Sequence, residues 1–488
     1  MFKKLSILLL AVIFTVSASA CEGGSKNDSR QQSLSSSSET ERGDNKAQNQ
    51  KVIILSVAAS DRQLETAISR FQKDHPGYRI DLQTYPNPDD TGSNNETYVK
   101  NLNTQILSGK GPDIISVAGL PYDKYVSKKI LANLSDMMDG DKSFDKSKYY
   151  TNIFDALKTN DSLYVLPTRF TFNVLMANQE ILDQNSIKID DGHWTWNDFK
   201  SASEKVTQKE VTGVGNRAAL PGVSSMELLN LFTGGSYSNY INAEKKNASF
   251  TSEGFIDLLN TVKAFGDEKL VNSNVQTDMV SVLDAAGRGS IVFYPCSITD
   301  YIMYWFMKSA FNDKLRLYNI PFAGDSGSRT FTTNSLYAIN KNSKYTEIAW
   351  EFLKVLLSDE AQSQALQQEG AEGKPGASGG MIKGGFPINR TVQQQKAKLA
   401  IDTSKGQKMK LRLKLNGPGE ISLNPAAMTQ ADIDDIDKFI SALNTYANED
   451  PNIDKIIQDE AKAFFNGDKS AKETAELIQR RANTYLGE

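Results

Sequence analysis

The chain has 488 residues, with 55 Lys and Arg against 59 Asp and Glu for a net charge of −4, and it is 39% hydrophobic and 23% charged. That length supports two or three domains with sizeable cores, and the absence of a basic excess excludes an electrostatic footprint for nucleic acid. Two histidines and two cysteines all but rule out His-based zinc sites, Ser-His-Asp triads and a disulfide framework.

The N-terminus carries Lys3 and Lys4, an apolar run from Leu5 to Val16, and the small residues Ala18-Ser19-Ala20 ahead of Cys21. This is the pattern of a secretory signal over residues 1–20; the apolar run is shorter than the about 20 residues that cross a bilayer. The segment resembles the lipobox of bacterial lipoproteins, with Ala18 where leucine usually stands. The resemblance implies that Cys21 is diacylated and becomes the mature N-terminus. Cys296 is then the remaining thiol, and no intramolecular disulfide is possible. Residues 21–50 are dominated by Ser, Asn, Gln, Glu and Gly. They cannot bury enough apolar surface to offset ordering entropy, so a flexible tether spanning roughly 30 Å is expected.

Order is expected from Lys51. Val52 to Val57 is a continuous β-prone run, the mark of a strand covered on both faces. Ser60 and Gln63 have capping-box spacing, which predicts a helix start at Ser60, with Leu64, Ile68 and Phe71 on one face. His75-Pro76-Gly77 ends it. Tyr78 to Tyr85 predicts a second strand, and a helix with Tyr98, Leu102 and Ile106 inward runs to Gly109. Pro112 to Val117 gives a third strand. Such alternation predicts an open parallel α/β sheet with ligands beyond the carboxyl ends of its strands, at Ala58–Asp61, Tyr85–Asn87 and Ala118–Pro121.

Leu163–Pro167 predicts a further strand leading into Val174–Asn178. Thr195 and Asp198 open a helix in capping-box register. Helical periodicity recurs near Met226–Phe232 and Phe255–Phe265. Gly289–Tyr294 has strand character, followed by the aromatic segment Tyr301–Phe306. Leu315–Phe322 and Phe331–Ile339 read as strands around a turn at Gly324–Arg329. Tyr345–Leu357 is an amphipathic helix, Gly370–Gly385 a glycine-rich loop, and helices follow around 391–400, 429–446, 452–465 and 469–485. No segment after the signal is apolar enough to span a membrane, and no solenoid repeat is present.

Several segments, in this order, resemble the extracellular solute-binding proteins of family 1, the group containing maltose-binding protein. They are Gly109-Lys110-Gly111-Pro112-Asp113-Ile114-Ile115, Leu163 to Pro167 with Asn178 eleven residues beyond the proline, Thr195-Trp196-Asn197-Asp198-Phe199, Gly287 to Ile291, and the helix over 345–366. The resemblance implies a two-lobed, periplasmic-binding-protein-like α/β fold of type II, its lobes joined by crossing strands. The first lobe would hold 51–167 and 331–385, the second 168–330 and 386–488. Such a body closes by hinge bending around ligand. The implied function is capture of a sugar or oligosaccharide for the membrane subunits of an ABC importer. The protein would work as a lipid-anchored monomer outside the cytoplasmic membrane, without a cofactor.

Sugar recognition needs aromatic faces and planar polar groups. Arg169-Phe170-Thr171-Phe172-Asn173 supplies both, and alternate residues of an extended crossing face the same way. Matching the family puts Thr171 at a ligand-binding position, with Arg169 on the same face and Phe172 as an aromatic candidate. Tyr294-Pro295-Cys296 falls where the family often has a stacking tryptophan; Cys296 stands in its place, leaving Tyr294, Tyr301 or Tyr304 to supply the ring. Ser60 and Asp61 follow the first strand, with Asp61 equally suited to a helix first turn. Asn334 lies at the second crossing. Ser224 and Tyr237 fall near ligand-facing loops by resemblance, and Phe386 is a candidate to cap the cleft. Trp196 and Trp305 read as packing residues, Trp194 as a loop anchor, and Asp113 as structural. Arg169 leaves an acidic ligand open.

Two other functions fit the same residues. A sensor lipoprotein of this fold would present ligand to a membrane kinase. A secreted glycan-active enzyme would need a positioned carboxylate pair, and the acidic clusters Asp139-Gly140-Asp141 and Asp432–Asp435 read instead as solvated faces. The expectation is a binding protein, not an enzyme.

Overall fold

The structure, a computed structural model, describes residues 50–85, 95–207, 210–211, 215–217, 219–242, 245–272, 279–321, 328–363, 384–406, 411–414, 420–423, 426–447 and 450–487. The signal, Cys21, the tether to residue 49, Asn87, most of the glycine-rich loop and most of the turn at 324–329 lie outside the described residues. Among the described residues no helix is long and apolar enough to cross a membrane.

Two larger sheets organise the chain. In the first, Lys51–Ser56 is flanked by Tyr78–Gln83 and Ile114–Ser116, both parallel to it. Leu336–Ile339 then pairs antiparallel to Ile114–Ser116, and Leu166–Pro167 antiparallel to Leu336–Ile339. The sheet is therefore parallel only over its first three strands. Ile114 and Ile115, on opposite faces, are both fully buried, as a covered strand requires. Along Lys51–Ser56 the expected two-sided cover is incomplete, because Ile53 and Leu55 are buried but Ile54 is partly exposed and Val52 is 37% exposed near the start of the strand. The helix after the first strand is Arg62–Asp74, and its cap is Asp61, which accepts a hydrogen bond from the Leu64 amide at 2.8 Å. Ser60 lies one residue outside, its hydroxyl donating to Glu65 at 3.2 Å.

The second sheet is built on Arg169–Asn178, ten residues long. It pairs antiparallel with Phe293–Ile298, Leu315–Tyr318, Thr330–Thr332 and Phe386–Pro387 at successive positions. Thr445–Tyr446 extends the sheet beyond Thr330–Thr332. Two expected strands differ here. Gly289–Tyr294 shifts to Phe293–Ile298, which runs through Pro295 opposite Leu175. The strand is an edge, where proline's missing N–H costs no ladder bond. Phe331–Ile339 divides into a piece in each sheet, so the chain crosses there. The other crossing is at Thr168, whose buried hydroxyl lies 2.6 Å from that of Ser335.

Gly111 sits where the returning strand Leu336–Ile339 ends. A Cβ on it would lie 2.9 Å from Asn340 Nδ2, which donates to the Pro112 carbonyl at 3.0 Å. Asp113 is structural: one oxygen accepts from the Ile54 amide at 2.8 Å, the other from the Ser343 hydroxyl. The glycine and the aspartate of that segment therefore fasten the first strand to the returning chain.

The apolar core has two clusters. One fills the first sheet and continues under one face of the second, through Phe170, Phe172, Phe331, Phe386 and Phe439. The other covers the opposite face of the second sheet with the helices Trp196–Thr207, Ser225–Gly234, Glu253–Asp267, Pro451–Phe465 and Ala471–Gly487. Along Arg169–Asn178, Phe170, Phe172, Val174 and Met176 join the first cluster, and Leu175 and Ala177 the second.

Candidate ligand-binding cleft

The face of Arg169–Asn178 that carries Leu175 and Ala177 also carries Arg169, Thr171 and Asn173, by the two-residue period of a strand. The second cluster does not reach these three, and all are partly exposed. Where that cluster stops, a polar row begins. Thr171 Oγ1 lies 2.9 Å from Thr332 Oγ1 on the neighbouring strand. Asn173 donates to Thr330 at 3.3 Å and accepts from the Ser297 hydroxyl.

Arg169 closes one end of the row. Its guanidinium donates to Asp61 and, at 2.8 Å, to Gln63 Oε1, both at the start of the helix that follows the first strand. The Arg169 side chain is 16% exposed and that of Asp61 48%. Its positive charge is thus already matched, which weakens the case for an acidic ligand. Gly385 flanks the arginine; a Cβ there would lie 3.2 Å from Arg169 Cβ, Cγ and Cδ. Asn334, at the bend between the two crossing pieces, is exposed.

At the other end lies a cavity of about 290 Å³, lined by Asn173, Gly222, Glu227, Leu231, Tyr294, Cys296 and Ser297 among others. Its surfaces are mixed, with carboxylate, amide and hydroxyl groups beside proline, valine and leucine. Burial pushes both the Tyr294 phenol and the Cys296 thiol up to about 12, so both stay protonated at neutral pH. Ser224 is next to the cavity as the cap of Ser225–Gly234, in a complete capping box with Glu227. That box fixes the Glu227 carboxylate at the rim, with Oε2 accepting from the Ser224 amide and hydroxyl at 2.7 Å each.

Four candidates stand elsewhere. Phe172 and Phe386 are fully buried, their ring centroids 5.3 Å apart, because they occupy the face of the crossing that meets the first cluster. Phe386 therefore caps no cleft. Tyr301 is buried in the helix Tyr301–Ala310, its hydroxyl donating to Asp437 at 2.9 Å and accepting from Gln393 at 2.7 Å. With every polar atom used in packing, it has nothing to offer a ligand. Tyr237 packs on the second cluster, away from the cavity lining, and burial followed by Asp450 raises its phenol well above the usual value. Tyr304 and Trp305 are buried, and Trp194 and Trp196 anchor a loop by donating to the Asn319 and Pro321 carbonyls at 3.0 and 2.9 Å.

The site gathers three residues that were not among the candidates, Gln63, Glu227 and Ser297, and singles out Asn173 from the crossing segment. Asn173 was legible, being two residues beyond Thr171 on the same face. Glu227 was legible as the third residue after Ser224. Gln63 and Ser297 enter through long-range pairing that no local pattern encodes. Among the described residues, no three His, Cys, Asp or Glu side chains gather to hold a metal ion.

Comparison with known proteins agrees with this architecture. The family model described as bacterial extracellular solute-binding protein matches residues 56–363, more than half the chain. The fold resembles that of the sugar-binding protein MalE from Xanthomonas citri, at 13% identity and a TM-score of 0.58, covering 90% of this chain and 98% of that one. An extracellular solute-binding protein family 1 structure from Alicyclobacillus acidocaldarius is 17% identical with a TM-score of 0.55, covering 91% and 100%. An ABC substrate-binding protein from Listeria monocytogenes, in complex with cycloalternan, is 15% identical with a TM-score of 0.53, covering 90% and 99%. The chain belongs to the bacterial extracellular solute-binding protein family.

Proposed function

We propose that this protein captures an uncharged sugar or oligosaccharide between its lobes and hands it intact to an ABC importer, while tethered through a lipidated Cys21 outside the cytoplasmic membrane. The lobes would comprise 51–167 with 331–385, and 168–330 with 386–488. One observation carries the reading. The polar row Arg169, Thr171 and Asn173 begins where the second apolar cluster ends, and it runs into a cavity of mixed polar and apolar lining. Hydroxyl-rich ligands suit that mixture, since their C–H faces pack on apolar groups while their hydroxyls meet amides and carboxylates. The match of Arg169 by Asp61 favours a neutral ligand over an acidic one. The Listeria neighbour's bound cycloalternan is a further support for the carbohydrate class.

A thermal-shift series on the full chain with neutral mono- and oligosaccharides, polyols and sugar acids tests this. A ligand at 100 times its Kd should add about 2.7 kcal/mol of stability. Stabilisation is expected from a neutral saccharide, recovered unchanged afterwards, and should weaken in Arg169→Ala. A response to sugar acids alone, or conversion of the saccharide, would overturn the proposal.

A further inference from the structure

We propose that Lys124 and Tyr485 form a clasp across the mouth of the cleft, which sets how readily the lobes close without touching ligand. The two residues lie 361 positions apart and in different cores. Lys124 sits on the helix Tyr122–Ser127, anchored in the first cluster by the buried Tyr122 and Tyr125. That helix follows the strand Ile114–Ser116 directly, at the carboxyl ends of the first sheet, the same edge that carries Asp61. Tyr485 lies in the last turn of Ala471–Gly487 and packs on the second cluster.

The contact is specific. Lys124 Nζ donates to the Tyr485 carbonyl at 2.9 Å and lies 3.4 Å from the centroid of its ring. A cation is favoured there twice. The last carbonyls of a helix lack intrahelical partners and carry the negative end of its dipole, and the ring face attracts an ammonium. The ring itself is pinned, since the Tyr485 hydroxyl donates to Asp450 at 2.8 Å and accepts from Asn452 at 3.0 Å. Asp450 in turn caps the helix Pro451–Phe465. The second lobe therefore presents a fixed cradle, and the first supplies the ammonium. Hinge bending at Thr168 and Ser335 must part them, so the clasp biases the lobes toward the closed arrangement that contains it. It rests on the two-lobed fold and not on the sugar reading.

Cys296 gives a ligand-free readout, because its thiol lines the cavity at the end of the polar row, which closure of the first lobe over that row would cover. The experiment measures N-ethylmaleimide alkylation of Cys296 in the full apo chain, read on its peptide by mass spectrometry, with urea midpoints alongside. Lys124→Met should speed alkylation about tenfold at little cost in midpoint. Lys124→Arg should restore the slow rate, and Arg70→Met, which breaks remote exposed pairs with Asp74 and Glu360, should leave it unchanged. Where Lys124→Met does not fold, Lys124→Gln decides. An unchanged rate, or a rise that follows lost stability and is not rescued by arginine, overturns the clasp.

Discussion

The carboxylate of Asp61 divides its oxygens between the helix it caps and the guanidinium of Arg169. The two roles separate by substitution. Asparagine caps about as well as aspartate, whereas alanine loses about 1 kcal/mol of capping. The ion pair adds little, since the Asp61 side chain is 48% exposed and screened by solvent. Asp61→Asn should therefore cost about 0.5 kcal/mol and Asp61→Ala about 1–2 kcal/mol, read from urea midpoints. Equal losses would mean that the cap is not what Asp61 contributes. Sequence alone placed the cap one residue early, because Ser60 and Asp61 are both capping residues and stand side by side. The deciding partner, Arg169, is 108 positions away.

Among elements, the clearest lesson is the strand Arg169–Asn178. Its alternation was readable, and it put Arg169 and Thr171 on one face. Which face met water was not readable, because Phe172 is as good a candidate for stacking on sugar as for packing on Phe386. A second element is bound to its neighbours through one acid. Asp141, at the end of the helix Leu134–Gly140, accepts from Lys354 at 2.7 Å and from Trp350 at 3.0 Å on the helix Thr346–Leu356. Lys354 first, and Ser143 next, hold its carboxyl well below the usual carboxylate range. A carboxyl depressed in the folded state stabilises the fold above the unfolded value near about 4, and this contribution fades as the pH falls below it. At pH 7 Asp141→Asn should cost about 1–2 kcal/mol. Urea midpoints of the two proteins should draw closer as the pH is lowered below about 4, and meet only below the depressed folded value; a constant gap would place the effect in packing instead.

Taken as a whole molecule, the fold turns on Thr168 and Ser335, two buried hydroxyls facing each other where both crossings meet. Removing one leaves its partner short of a bond, which costs about 1–2 kcal/mol, whereas removing both costs less than the sum. Thr168→Val and Ser335→Ala should therefore be non-additive by at least about 0.5 kcal/mol in urea unfolding; additivity would mean that the hydroxyls do not act on each other. Local pattern in the sequence determined most of the helices, the three parallel strands of the first sheet and the alternation of the crossing, because periodicity, caps and turn residues act within a few positions. Tertiary structure alone decided that Phe331–Ile339 splits between two sheets, that Phe172, Tyr301 and Phe386 belong to the core, and that Asp61 matches the charge of Arg169. Each of those outcomes depends on which distant surface arrives opposite a side chain, and the chain encodes that only through the packing of both lobes together.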